Sequence, residues 1–200
     1  MQIRNIIFDI GNVVINWEPV GVVKNFFPER NDTTLLSAQL FSSKHWIDLN
    51  EGRISQDTLL SLYENDLNID KTTLSQLMIK LEESLILVDK MEALLFDLSD
   101  KGYNLFALTN NTIQLMRFLK ERYSFWSLFK ETVVSAEIGL RKPDPAIFTY
   151  LLEKHALNPK ETVFIDDHKP NTIIAEELGM NSINFINYPQ CLNELSQLGI

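Results

Sequence analysis

The 200 residues, 45% of them hydrophobic, supply enough apolar side chain for a sizeable core and exclude disorder as a global state. The formal net charge of −9 argues against nucleic-acid binding, which depends on Lys and Arg neutralising phosphates, so an anionic substrate has to be captured by local positive groups. The single cysteine, Cys191, cannot close an internal disulfide; with no apolar leader in Met1-Gln2-Ile3-Arg4-Asn5 and no apolar stretch of membrane-spanning length, a soluble cytoplasmic protein with no membrane partner is expected.

In chain order, Ile6-Ile7-Phe8 is a short β-prone run followed by Asp9 and Gly11, the pattern of a buried strand ending in a tight loop. From Trp17 to Val88 the strand signals vanish, and the apolar spacing predicts helices over Pro19–Phe27, Asp32–Phe41, Ser55–Leu67 and Asp70–Leu85. Asp89 with Glu92 then makes a capping-box-like start to a helix whose apolar face is Met91, Leu94, Leu95 and Leu98, with Gly102 as its stop. Two more short apolar runs end in polar groups: Leu105–Leu108 precedes Thr109-Asn110-Asn111-Thr112, and Val163–Ile165 precedes Asp166-Asp167. Thr132-Val133-Val134 reads as a further strand, Pro143 and Pro145 open a helix toward His155, and Pro170 opens one that ends near Gly179.

Strands alternating with helices of this length predict βαβ units, hence an α/β fold with a Rossmann-like parallel sheet and helices on both faces. Residues 1–16 and 88–200 would form the core, and 17–87 a small helical cap inserted after the first strand. No Gly/Ser linker separates the two parts, so the insertion should pack on the sheet instead of trailing from it. Ligand groups belong at the carboxyl ends of the strands, which is where Asp9, Thr109 and the Asp166-Asp167 pair fall.

An aspartate at a strand end facing a cation can attack phosphorus and form an aspartyl-phosphate that water hydrolyses, and such transfers need positioning and charge neutralisation above all. Thr109 would give a hydroxyl, and the backbone around Asn110 N–H donors, to the phosphoryl oxygens. Lys142 would counter the charge at the reacting centre. Asp9, Asp167 and the Gly11 carbonyl would make an oxygen-rich site suited to Mg2+, and two adjacent acids after an apolar run are costly unless something positive sits there. Taken singly, each of these residues has an ordinary structural meaning as a turn, a helix cap or a solvated loop charge. His168 could line such a site, whereas His45 and His155 lie in amphipathic helical text and suit the surface or packing; no His/Cys spacing for zinc is present.

Four segments together carry a resemblance. Phe8-Asp9-Ile10-Gly11-Asn12-Val13-Val14, Leu108-Thr109-Asn110, Lys142 within Gly139-Leu140-Arg141-Lys142-Pro143-Asp144, and Ile165-Asp166-Asp167 resemble, in order, the four motifs of the haloacid dehalogenase superfamily. The resemblance implies a magnesium-dependent phosphohydrolase with Asp9 as nucleophile, Asp167 as a direct metal ligand, and Asp166 behind it or bound through water. Phosphatases of this superfamily usually carry an aspartate two residues after the nucleophile as general acid and base, and here that position is Gly11. Members with Asp-x-Gly-Asn-Val include sugar-phosphate phosphatases of the α-glucose-1-phosphate type, which the chain also resembles at Glu51-Gly52-Arg53-Ile54-Ser55.

Substrate specificity is expected from cap side chains that close over the site, the candidates being Trp17, Trp46, Asn50, Glu51 and Arg53, and the partner is a small phosphorylated molecule. Two rival readings stand beside the phosphatase: a metal-independent 2-haloacid dehalogenase, which the acidic pair disfavours, and a catalytically silent regulatory or binding domain, which retention of all four motifs disfavours. No feature of the sequence sets an oligomeric state.

Overall fold

The computed structural model describes residues 2–200. Strand β1 (Asn5–Phe8) is followed by five helices, α1 (Pro19–Phe26), α2 (Thr33–Phe41), α3 (Lys44–Asn50), α4 (Gln56–Leu67) and α5 (Lys71–Ser84). Then come α6 (Met91–Asp100), β2 (Asn104–Thr109), α7 (Ile113–Arg122), β3 (Phe129–Val134) and the short α8 (Ser135–Ile138). The chain closes with α9 (Pro145–Lys154), β4 (Thr162–Asp166), α10 (Lys169–Glu177), β5 (Asn181–Asn184) and α11 (Tyr188–Gln197). All strand pairs are parallel and their order is β3-β2-β1-β4-β5, the Rossmann-like sheet expected.

Alternation along the central strands explains both faces of the sheet. Ile6 and Phe8 point into one apolar cluster, shared with Leu105, Ala107, Val163 and Ile165, while Ile7, Phe106 and Phe164 point into another, closed by Ile147, Phe148 and Leu151 of α9. The first cluster runs on without a break into the insertion, through Val23, Leu36, Leu40, Leu59, Tyr63, Leu74 and Leu81. The insertion therefore buries its apolar faces against the sheet side of the molecule, as the missing linker implied. Because β1 is central, with β2 on one side and β4 on the other, the chain reverses its winding next to β1, and a crevice opens at the carboxyl ends of these three strands.

Three local details depart from the sequence reading. Helix α3 lies in text that reads as a connection, since its seven residues are too few to display a period. Strand β5 escapes notice because it is an edge with only Ile183 buried among polar neighbours. The Asp89–Glu92 capping box does not form: Lys90, at φ +64°, takes the N-cap position of α6 with no side-chain cap.

Candidate active site

Asp9 follows the last residue of β1, and its backbone N–H donates to the Ile165 carbonyl of β4 at 2.8 Å, which ties the two central strand ends together. Its Oδ1 accepts from the Ile10 N–H at 2.6 Å and lies 2.9 Å from Lys142 Nζ. Lys142 is 1% exposed and donates also to Asp166 Oδ2 at 2.7 Å, so one buried ammonium sits between two strand-end carboxylates. The rest of Asp166 is saturated: its oxygens accept from the His168 N–H at 2.8 Å and from Asn171 Nδ2 at 3.0 and 2.9 Å. Asp167, one residue on, is exposed and accepts from Asn12 Nδ2 at 3.1 Å.

Lys142 comes from a loop and needs outside support. The Asn110 side chain provides it, donating from Nδ2 to the Lys142 carbonyl and accepting the Lys142 N–H at Oδ1, both at 2.8 Å. Asn110 was singled out for its backbone; its amide is instead the clamp that holds the lysine loop. Of the neighbouring donors, the Asn111 N–H goes to Ser135 Oγ and the Thr112 N–H to Asn111 Oδ1, which leaves Asn110's own N–H as the candidate for a phosphoryl oxygen. Buried Thr109 ends β2 beside it.

The insertion meets this loop at a close approach. Ser135, fully buried, donates from Oγ to the Asn50 carbonyl at 2.5 Å while receiving Asn111. At Gly52, φ is +68° and a Cβ would lie 2.2 Å from the Ala136 carbonyl oxygen, so only glycine lets the two backbones touch. Ser55 caps α4, accepting from the Thr58 N–H, and the glycine three residues before it serves the docking.

A cavity of about 420 Å³ opens over the acids. Asp9, Gly11, Thr109, Asn110, Lys142 and Asp167 line its polar end, and of the five insertion candidates Trp17, Trp46 and Asn50 line it as well. Glu51 and Arg53 are not among its lining residues. They pair with each other at 2.6 Å, and Glu51 lies 3.8 Å from Arg141, which does reach the cavity. His168 lines the cavity; His45 pairs with Asp66, and His155 packs on Phe106 and meets Glu131 at 2.5 Å, both away from the site as expected. Asn171 and Ser135 are site residues the sequence did not disclose, while Asn12 and Arg141 stood inside the quoted motifs without a role. At φ +54° Asn12 turns the chain after Asp9, and its Oδ1 accepts the Trp17 N–H.

The charges explain what the polar end can hold. Burial pushes the Asp9 carboxyl up to about 7, Lys142 pulling against it and Asp166 and Asp167 adding to it. Burial raises Asp167 too, with the Asn12 hydrogen bond opposing. Burial works to lower the Lys142 ammonium, yet Asp9 and Asp166 outweigh it and hold it above its ordinary value, so it stays charged. Three carboxylates within 4.8 Å of one another therefore face one buried cation, an excess of negative charge in an all-oxygen donor set. That set fits a hard divalent cation such as Mg2+, and with Asp166 saturated the oxygens open to it are those of Asp9 and Asp167.

The chain is similar to known proteins over most of its length. The chain is 26% identical over 195 residues to a sesquiterpene phosphatase, astK, of Aspergillus oryzae, covering 96% of this chain and 94% of the relative. It is 26% identical over 208 residues to a D-ribitol-5-phosphate phosphatase of Bacteroides thetaiotaomicron, covering 98% of each. Some relatives are longer: the chain is 24% identical over 200 residues to drimenol cyclase drtB of Aspergillus calidoustus, covering 98% of this chain and only 37% of that protein. Among solved structures, an HAD family enzyme of Bacteroides thetaiotaomicron in complex with magnesium and inorganic phosphate superposes with a TM-score of 0.77 at 23% identity, over 92% of this chain and 95% of that one. Among the described residues no helix is long and apolar enough to cross a membrane. The model of the haloacid dehalogenase-like hydrolases matches residues 6–185, nearly the whole chain, and the protein belongs to that family.

Proposed function

We propose that the protein is a magnesium-dependent phosphatase that hydrolyses a small phosphorylated metabolite in the cytoplasm through an aspartyl-phosphate on Asp9. The observation that carries this reading is the Lys142 ammonium held between Asp9 and Asp166, with Asp167 open to the cavity beside them. Residues 17–87 act as the cap and residues 1–16 with 88–200 as the catalytic core. The phosphatase relatives and the magnesium–phosphate complex of a structural neighbour support the same assignment.

The Asp9 carboxylate attacks phosphorus through one oxygen, and the Ile10 N–H and Lys142 at Oδ1 hold it in place. The ester oxygen departs with the bonding pair and takes its proton from water, since Gly11 supplies no acid. Water then attacks the acyl phosphate, releasing inorganic phosphate and restoring the carboxylate. Lys142 remains protonated throughout and offsets the charge on the transferring group, while Thr109 and the Asn110 N–H donate to its oxygens. Asp9, Asp167 and the Gly11 carbonyl would hold the metal, which when bound supplies further neutralisation of the phosphoryl charge. Asp166 acts through Lys142. The first-motif resemblance and the ribitol-phosphate relative make a sugar phosphate one substrate class to test.

Hydrolysis of an aryl phosphate tests the reading. Phosphate release should stop in EDTA, return with Mg2+, and fall at least about a thousandfold in Asp9→Asn, whose amide is a poor nucleophile. Chloride release from a 2-haloacid that persists in EDTA would favour the dehalogenase instead, and failure of every phosphoester at high enzyme concentration would favour a silent domain.

A further inference from the structure

The cavity lining is of two kinds, the strand-end acids with their polar neighbours and a hydrocarbon wall. Trp17, Phe41 and Trp46 come from the insertion and form a packed aromatic group: the two indoles stack at 5.9 Å, and Phe41 meets Trp17 edge-on at 5.8 Å and Trp46 at 5.1 Å. Leu115 and Leu119 face them from α7, four residues apart and so on one helix face, and Leu85 closes the end of α5. At 1.5 Å per residue, Leu119 lies about 10 Å along α7 from its Thr112 cap, so the hydrocarbon wall runs well past the loop that would hold a phosphate. Of the polar side chains lining the cavity, Asn12 is held by Asp167 and Trp17, Asn50 by the Trp46 carbonyl at 2.8 Å, Asn110 by Lys142 and Asn171 by Asp166, while Asn111, Arg141 and His168 also line it. A polyhydroxylated substrate would need such groups to be available, because a hydroxyl left without a partner on an apolar wall loses its hydrogen bonds to water. The volume of about 420 Å³ is that of a small-molecule site, larger than a phosphate alone requires.

We infer that the substrate is the monophosphate of an apolar alcohol, its hydrocarbon body lying between the Trp17–Phe41–Trp46 group and Leu115 and Leu119, and not a sugar phosphate. The inference rests on the phosphatase reading above and names the substrate class of that same site. The aromatic group from the insertion is then the specificity wall, and Glu51 and Arg53 stand outside it.

The test uses the purified protein with Mg2+ and a series of 4-alkylphenyl phosphates with growing tails, in which the acidity of the leaving oxygen stays nearly constant while apolar area increases. Acetyl phosphate, which needs no wall, reports the Asp9 chemistry alone. The value of kcat/KM should rise by about threefold to fourfold per added methylene until the cavity is filled, and D-glucose 1-phosphate should fall below the longer-tailed esters. Leu119→Phe, which shortens the cavity, should move the plateau to shorter tails. A flat or falling profile, or D-glucose 1-phosphate outperforming every tailed ester, overturns the apolar substrate while acetyl phosphate turnover leaves the phosphatase reading standing. No turnover of acetyl phosphate or of any ester overturns both.

Discussion

The strand-end site and the wall of the insertion are built by opposite means. At the strand ends each functional side chain is held by directed polar contacts: Lys142 by Asp9, Asp166 and Asn110, and Asp166 by Lys142, His168 and Asn171. In the insertion, Trp17, Phe41 and Trp46 are placed by packing on one another. The proposed function would place chemistry that must meet a reacting phosphorus within a fraction of an ångström on the rigid sheet, and recognition of an apolar body on a surface that needs only the right shape. Ser135 and Gly52 join the two, the first by a hydrogen bond to the Asn50 carbonyl, the second by letting the backbones touch.

Beyond the nucleophile itself, the largest effect expected from disturbing the polar region is that of Lys142→Met. Removing the ammonium should lower turnover by about 10²- to 10³-fold, and because it leaves Asp9 and Asp166 buried without their cation it should also cost about 3–5 kcal/mol of stability. Reading Lys142 from the sequence as a catalytic charge alone misses this second consequence, since burial is not visible in a loop motif. Kinetics with a thermal melt on the same sample checks both; a stable variant with normal turnover would show that the ion triad is ornamental.

Next comes a contrast between the adjacent acids. Asp167→Ala should raise the Mg2+ concentration for half-maximal activity by at least about tenfold with little change in melting temperature, while Asp166→Ala should chiefly lower the melting temperature. The reverse order in a Mg2+ titration would mean that the two acids have exchanged roles.

What was readable in the sequence divides along the same line. The first, second and fourth motifs were legible because each is a contiguous apolar run ending in polar groups, a local pattern that survives without knowledge of the fold. Lys142 was found through resemblance, and its clamp, Asn110, was noticed only for its backbone, because the partnership spans 32 positions and leaves no local mark. Glu51 and Arg53 entered as cap candidates through the resemblance; the structure pairs them with each other and leaves them off the cavity wall. The aromatic wall was half visible, Trp17 and Trp46 as candidates and Phe41 as one more apolar position on a helix.

Breaking the junction should have a smaller effect than breaking the ion triad. Gly52→Ala places a methyl against the Ala136 carbonyl oxygen at positive φ, and a loss of about 1–3 kcal/mol is expected, with substrate KM rising more than kcat falls as the insertion shifts. An unchanged melting temperature would show that the insertion is not seated there.

Gly11 offers the mildest test. A Cβ built there meets nothing within 4 Å, so Gly11→Asp meets no steric barrier to folding. In the parent protein kcat/KM should depend steeply on leaving-group acidity, aryl and acyl phosphates far ahead of primary-alcohol phosphates, because no acid protonates the departing oxygen. The variant should flatten that slope. A shallow slope in the parent would place an acid elsewhere in the cavity.

The central claim, that Asp9 itself takes the phosphoryl group, is tested most directly by rapid acid quench of the protein turning over an aryl phosphate with Mg2+, followed by peptide mass analysis. One phosphoryl group on the peptide containing Asp9, absent from Asp9→Asn and absent without Mg2+, is the expected result. Phosphate released at full rate with no such adduct, and undiminished in Asp9→Asn, would contradict it.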